Sequence, residues 1–152
     1  MPASPTDSRV PLSSFILGFG PMLPLVAAGV GAWVLPGLWP LLAIQLAIFW
    51  AALILAFIGG VRRGFGFADT RASTRGEVVA STLYVTLAGL GLIMPRPSVG
   101  LSFLIVGYAL AALLDRRAAL AGDAPLHFAR LRPPQLLLGA AGLAACWSWL
   151  VH

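Results

Sequence analysis

The sequence predicts an all-α membrane protein, a bundle of five transmembrane helices. Three observations lead there. Hydrophobic residues make up 59% of the chain and charged residues only 10%, against roughly 25% charged in an ordinary soluble domain. So few charges could not cover a soluble surface. The apolar residues gather into five segments, each near the ~20 residues that a bilayer core requires, and none carries a charge in its interior. The alternation of a membrane β-barrel is absent. Helices are the economical choice because they satisfy their own backbone hydrogen bonds in lipid.

Residues 1–13 read as a short cytoplasmic tail, and 14–152 as one transmembrane domain. The first span covers 14–35. Pro21 and Pro24 interrupt it, which predicts a kink or, as the sharper alternative, a break that forms a gate or binding site. Arg9 ahead of an apolar run and small residues near Ala32 resemble a cleaved leader, but the length of the run, Asp7 and the early prolines favour a retained span. A tight uncharged turn, Pro36 to Trp39, leads into the second span, 39–61. Along it Ala43, Ala47 and Ala51 recur every four residues, as do Ala52, Ala56 and Gly60. Such rows let helix backbones approach closely in lipid. They predict packing within the bundle or, alternatively, a partner face.

The third span, 78–94, and the fourth, 99–114, are joined by Pro95 to Ser98, where two prolines stop both helices. The fifth, 135–151, carries a second small-residue run, "GAAGLAAC". The last three spans are short, roughly 16–17 residues, close to the lower limit for crossing. Between spans lie two polar stretches, Arg62 to Glu77 and Asp115 to Pro134. Trp33, Trp39, Trp147 and Trp149 fall near helix ends, as in an interfacial belt. Trp50 is mid-helix, where packing outweighs a ligand-stacking role.

The chain has ten basic residues, all arginine, and five acids. With five spans, Arg9, Arg62, Arg63, Arg71, Arg75, Arg116, Arg117, Arg130 and Arg132 share one side and Arg96 alone takes the other. The positive-inside rule then puts the N-terminus in the cytoplasm and the C-terminus in the periplasm of a bacterial inner membrane. Anionic lipid headgroups are the expected partners of that basic face. Nucleic acid is not, since no basic aromatic platform or reading helix is present.

Catalytic and cofactor chemistry finds no constellation. His127 and His152 have no second ligand at metal or haem spacing. No serine sits on a nucleophile turn. The single Cys146 has no adjacent base, and no intramembrane carboxylate or histidine marks a proton-coupled carrier. No cofactor is therefore expected.

The stretch "LAFIGGVRRGFGF", Leu55 to Phe67, lacks the Gly-Lys-Ser/Thr signature of a phosphate loop and follows a helix where that motif follows a strand. Gly59 and Gly60 are expected to end the second helix, with Gly64 in the loop beyond. Arg62 and Arg63 would face the helix's negative end and the headgroups, and Phe65 and Phe67 could dip into the interface. The stretch resembles the signature of the transmembrane protein 69-like family, catalogued as domain of unknown function 3429. There a helix ends in a pattern like Ile-Leu-Ser-Phe-Leu-Gly-Gly-hydrophobic-Arg/His-Trp-Gly. Arg63 stands here where that family has tryptophan, and Ala56 where it has serine.

"LGFGPMLPL", containing Pro24, "LLDRRA", containing Asp115 and Arg116, and "APLHFARLR", containing His127 and Arg132, are similar to further segments of that family in the same order. The resemblance implies an inner-membrane protein and no established activity.

The function expected from these features is that of a non-enzymatic accessory or structural membrane protein packing with other membrane proteins. A bundle that binds a lipid or small molecule, or a small carrier, is the alternative. An enzyme acting on lipid headgroups through Arg62, Arg63, Asp69 and Asp115 comes third. A closed apolar cavity near Trp50, Tyr84 and Tyr108 would favour binding. A solid bundle with an exposed Ala/Gly stripe would favour the accessory role.

Overall fold

The computed structural model describes residues 16, 18–68, 74–122 and 128–152. The described residues are helical apart from short turns. A 3-10 turn, Gly20–Met22, leads into α1, Leu23–Val34. Then follow α2, Trp39–Ala68; α3, Thr74–Ile93; α4, Pro97–Ala121; and α5, Phe128–Val151. Each of α2 to α5 is long and apolar enough to cross a membrane. The first segment is not: Gly20–Val34 is shorter than a span, because Pro21 draws the chain into the 3-10 turn and α1 proper begins only at Leu23. The five-span expectation is thus met only in part, by four helices long enough to span and one shorter apolar helix.

The helices form a ring in which α1 lies between α2 and α5. α3 joins α2 to α4, and α4 closes onto α5, while α2 and α4 also meet across the middle. Leu25, Ile44, Leu55, Tyr84, Leu101, Leu104, Tyr108, Leu136 and Leu143 fill the interior. The two small-residue rows of α2 turn in part to this core: Ala47, Ala51 and Ala52 are buried, Ala43 and Ala56 half-buried, and Gly60 exposed. The closest crossing is that of α1 with α5. A Cβ built on Gly142 would stand 2.5 Å from the carbonyl oxygen of Leu25, and one on Gly29 2.7 Å from that of Gly142. Only glycine admits that contact, which supplies the dispersion energy that the hydrophobic effect cannot supply between helices in lipid.

Several expected boundaries shift, and each shift lengthens a helix at its arginine end. The second helix does not stop at Gly59 and Gly60 but runs on through Arg62, Arg63 and Gly64 to Ala68. A glycine inside a helix costs only about 1 kcal/mol, which packing on neighbouring helices offsets. α3 begins at Thr74 rather than Val78, and so includes Glu77. α4 continues past Leu114 to Ala121 and ends at Gly122, whose φ of 90° is the left-handed cap geometry glycine adopts freely. α5 starts at Phe128 and carries Pro133 and Pro134 inside it. Those prolines remove two helix donors near the polar end, where the freed carbonyls are most easily satisfied.

The four helices therefore contain charges that the apolar windows left outside. Arg62, Glu77, Asp115 and Arg132 all lie within helices and are all buried.

Candidate functional site

One side chain from each of the four long helices converges at the arginine end. Arg62 comes from α2, Tyr84 from α3, Asp115 from α4 and Arg132 from α5. The Tyr84 hydroxyl donates to Asp115 Oδ1 at 3.0 Å. Arg62 Nη1 stands 4.0 Å from the same oxygen, and Arg132 Nη1 stands 3.8 Å from Oδ2. Asp115 is 4% exposed, Arg62 7% and Arg132 8%. Two guanidiniums thus share one carboxylate, which a phenol also holds in place. Charges in so dry a setting persist only when paired.

The helix faces explain the convergence. On α2 the buried residues Ala51, Leu55 and Ile58 recur at helical spacing, and Arg62 is the next position of that stripe. On α4 Leu104, Tyr108 and Ala111 lead in the same way to Asp115; on α5 Cys146, Leu143, Gly139 and Leu136 lead back to Arg132. Glu77 prolongs the stripe of Ala80, Tyr84 and Ala88 on α3 and is 1% exposed. Neither of its carboxylate oxygens has a hydrogen-bond partner, and the same holds for Nε and Nη1 of Arg62.

Pockets flank the cluster on two sides. The larger, about 520 Å³, is a lateral groove between the first segment, α2 and α5. Pro21, Met22, Trp50, Leu53, Ile54 and Phe57 form its apolar walls, and Arg132 and Gln135 provide its polar end. Trp50 is fixed there because its indole N–H donates to the Pro21 carbonyl at 2.8 Å. That acceptor is exposed by the 3-10 turn, so the proline break in the first segment shapes one wall of the groove. The smaller pocket, about 360 Å³, opens between α2, α3 and α4 and is lined by Arg62, Glu77 and Arg117, with Gly76, Val79 and Leu114 among its other walls.

The expected site residues divide accordingly. Arg62, Asp115 and Arg132 come together, and Trp50 lies on the groove. Arg63 is half-buried and Arg116 is exposed on the neighbouring face of α4. Gly59 packs on α3, where a Cβ would lie 3.2 Å from the Ser81 carbonyl, whereas Gly60 and Gly64 are exposed with open space around them. Pro24 is exposed in the first turn of α1. His127 and Asp69 lie outside the described residues, as do the side chains of Phe65 and Phe67. Glu77, Gln135 and Arg117 complete the site without having been singled out for it, and Tyr84, expected beside a cavity, instead holds Asp115. Tyr84 and Tyr108 line neither pocket: both are fully buried, and the Tyr108 hydroxyl donates to the Ala51 carbonyl at 3.2 Å. Among the described residues no group of His, Cys, Asp and Glu could hold a metal ion.

A family model described as "Protein of unknown function (DUF3429)" matches residues 10–149. No curated protein matches the chain, and no solved structure does.

Proposed function

This chain belongs to the family of proteins of unknown function DUF3429, from which no activity follows, and on its geometry we propose that it is a non-enzymatic amphiphile-binding protein of a bacterial inner membrane. The observation that carries this is the lateral groove with walls of Pro21, Met22, Trp50, Leu53 and Phe57 and an end of Arg132 and Gln135. An acyl chain or other apolar tail lies along the walls, where it replaces bulk lipid on a preformed surface. An anionic head meets the positive end. Charge placement supports an anion there, since Arg132 stands at the groove's end and shares its carboxylate partner, Asp115, with a second guanidinium, Arg62, in the cluster behind it. The arginine-rich end faces the cytoplasm in this proposal, where anionic headgroups concentrate.

The binding role is favoured over docking to another membrane protein. Of the small-residue rows that suggested a partner face, Ala47, Ala51 and Ala52 are buried inside the bundle, and Gly60, Ala141 and Ala144 are left exposed. Of the two carboxylates that lipid-headgroup chemistry would draw on, Asp115 is held by a phenol and two guanidiniums, and Asp69 lies outside the described residues.

Native mass spectrometry of protein extracted in mild detergent tests the proposal. An anionic amphiphile should leave with the protein at about one per chain. Leu53→Trp, a groove-filling change at a residue that is 46% exposed, should reduce that retention to background while helix content stays the same. Equal retention by the two proteins would contradict the assignment.

A further inference from the structure

The smaller pocket is a separate structure from the groove, with α2 and the charge cluster between them, and its chemistry is different. Its walls hold two buried polar side chains with unused hydrogen-bonding capacity. Glu77, 1% exposed, has two carboxylate oxygens without a partner, and Arg62, 7% exposed, has Nε and Nη1 without one. Arg117 stands exposed at the same pocket and adds a second cation. An unpaired buried carboxylate is among the most costly groups a fold can carry. It lies about one turn from the start of α3 and lines the pocket at the arginine end of the bundle.

We propose that this pocket binds a zwitterionic head made of a primary ammonium and a phosphate, the chemistry of phosphoethanolamine. Glu77, whose carboxylate has no partner, and Arg62, whose ion pair with Asp115 leaves Nε and Nη1 without a hydrogen bond, select that class together. A simple anion would satisfy Arg62 but meet the Glu77 carboxylate. A simple cation would satisfy Glu77 but meet two guanidiniums. A ligand with both charges a few bonds apart lets the ammonium donate to Glu77 while the phosphate oxygens accept from Arg62 and Arg117. A quaternary ammonium lacks N–H donors and cannot replace a primary one at Glu77. The volume of about 360 Å³ suits a headgroup rather than a whole lipid, whose tails would remain in the surrounding bilayer.

The test uses the full chain in nanodiscs of equal phosphatidylethanolamine and phosphatidylcholine, with native mass spectrometry reading the lipid retained on release. The ethanolamine lipid should be retained about tenfold over the choline lipid, the factor expected for one charge-assisted hydrogen bond. Glu77→Gln should abolish that preference and Arg117→Gln should weaken it, while Leu53→Trp should leave it intact. Glu77→Gln removes an unpaired charge, so its thermal midpoint should stay level or rise, and Arg117→Gln, at an exposed position, should fold normally. Free phosphoethanolamine supplies the second arm. Displacement of the lipid by millimolar phosphoethanolamine, in wild type only, assigns the pocket to the soluble form of the head; failure to displace assigns it to the lipid. Equal retention of both lipids by wild type, or an ethanolamine preference that survives in folded Glu77→Gln, would overturn the proposal.

Discussion

At Asp115 two guanidiniums and a phenol converge on one carboxylate, and the partners are not interchangeable. Removing the carboxylate charge leaves Arg62 and Arg132 facing each other in a dry interior. Asp115→Asn should therefore cost about 3–5 kcal/mol, the penalty for orphaning a buried charge, read as a large fall in the thermal midpoint in detergent. Tyr84→Phe deletes only the hydrogen bond to Oδ1, seen at 3.0 Å, and should cost about 1.5–3 kcal/mol, as for a hydrogen bond to a charged group. Arg116→Gln, next in sequence but exposed, should change stability by less than about 0.5 kcal/mol. If Asp115→Asn proved as mild as Arg116→Gln, the carboxylate would not be the buried counter-charge that the distances describe. The residue types of this cluster were visible in the sequence, but their direction was not. Arg62 and Arg63 differ by one position, or about 100° around a helix, and that rotation separates a core cation from a half-buried one. The buried stripe Ala51, Leu55, Ile58 held the signal, had it been extended beyond the apolar window.

Among the helices, α2 is the most instructive. Its 30 residues make a rod of about 45 Å, longer than a hydrocarbon core of about 30 Å, so its last turns carry Arg62 into the polar end without breaking. Its two adjacent glycines have different duties. Gly59→Ala should be destabilising, because a Cβ would press the Ser81 carbonyl and the Val85 methyl at 3.2 Å. Gly60→Ala should stabilise by about 0.5–1 kcal/mol, since nothing lies within 4 Å of its Cβ position and alanine is the better helix former. Thermal unfolding of the pair separates the two accounts of this stretch: if the glycines capped a helix, Gly60→Ala would destabilise as well.

Four of the five expected spans are helices long enough to cross a membrane, in the expected order, since hydropathy reports where apolar segments lie. Their ends were too short because a hydropathy window closes at the first charges, whereas the backbone continues until something stops it. At Arg62 and Asp115 nothing does. At Gly122 a left-handed φ ends α4. The break at Gly20–Met22 was signalled by Pro21, but its consequence, a carbonyl free to hold the Trp50 indole, required the tertiary contact with α2.

Among the described residues the charges lie at one end of α2 to α5, with Arg96 at the other between α3 and α4. That polarity predicts orientation. Cysteines introduced at two exposed positions, Arg96→Cys and Arg116→Cys, can be probed with a membrane-impermeant maleimide against little background, because the one native cysteine, Cys146, is fully buried. The first should label in intact spheroplasts and the second only after permeabilisation; the reverse pattern would invert the bundle and move the anionic head of the groove's ligand to the periplasmic leaflet.

The same polarity places the groove's positive end at one interface and its apolar walls in the bilayer, an arrangement suited to a molecule with a charged head and an apolar tail. The most direct measurement is photo-crosslinking in nanodiscs with an anionic phospholipid whose acyl chain carries a diazirine, followed by peptide mapping of the adducts. Binding in the groove predicts adducts concentrated on Trp50, Leu53 and Phe57 and lost when Leu53→Trp fills the site. Adducts spread evenly over the other exposed apolar positions, such as Val106, Leu113 and Leu137, would contradict it and leave the groove as ordinary bilayer-facing surface.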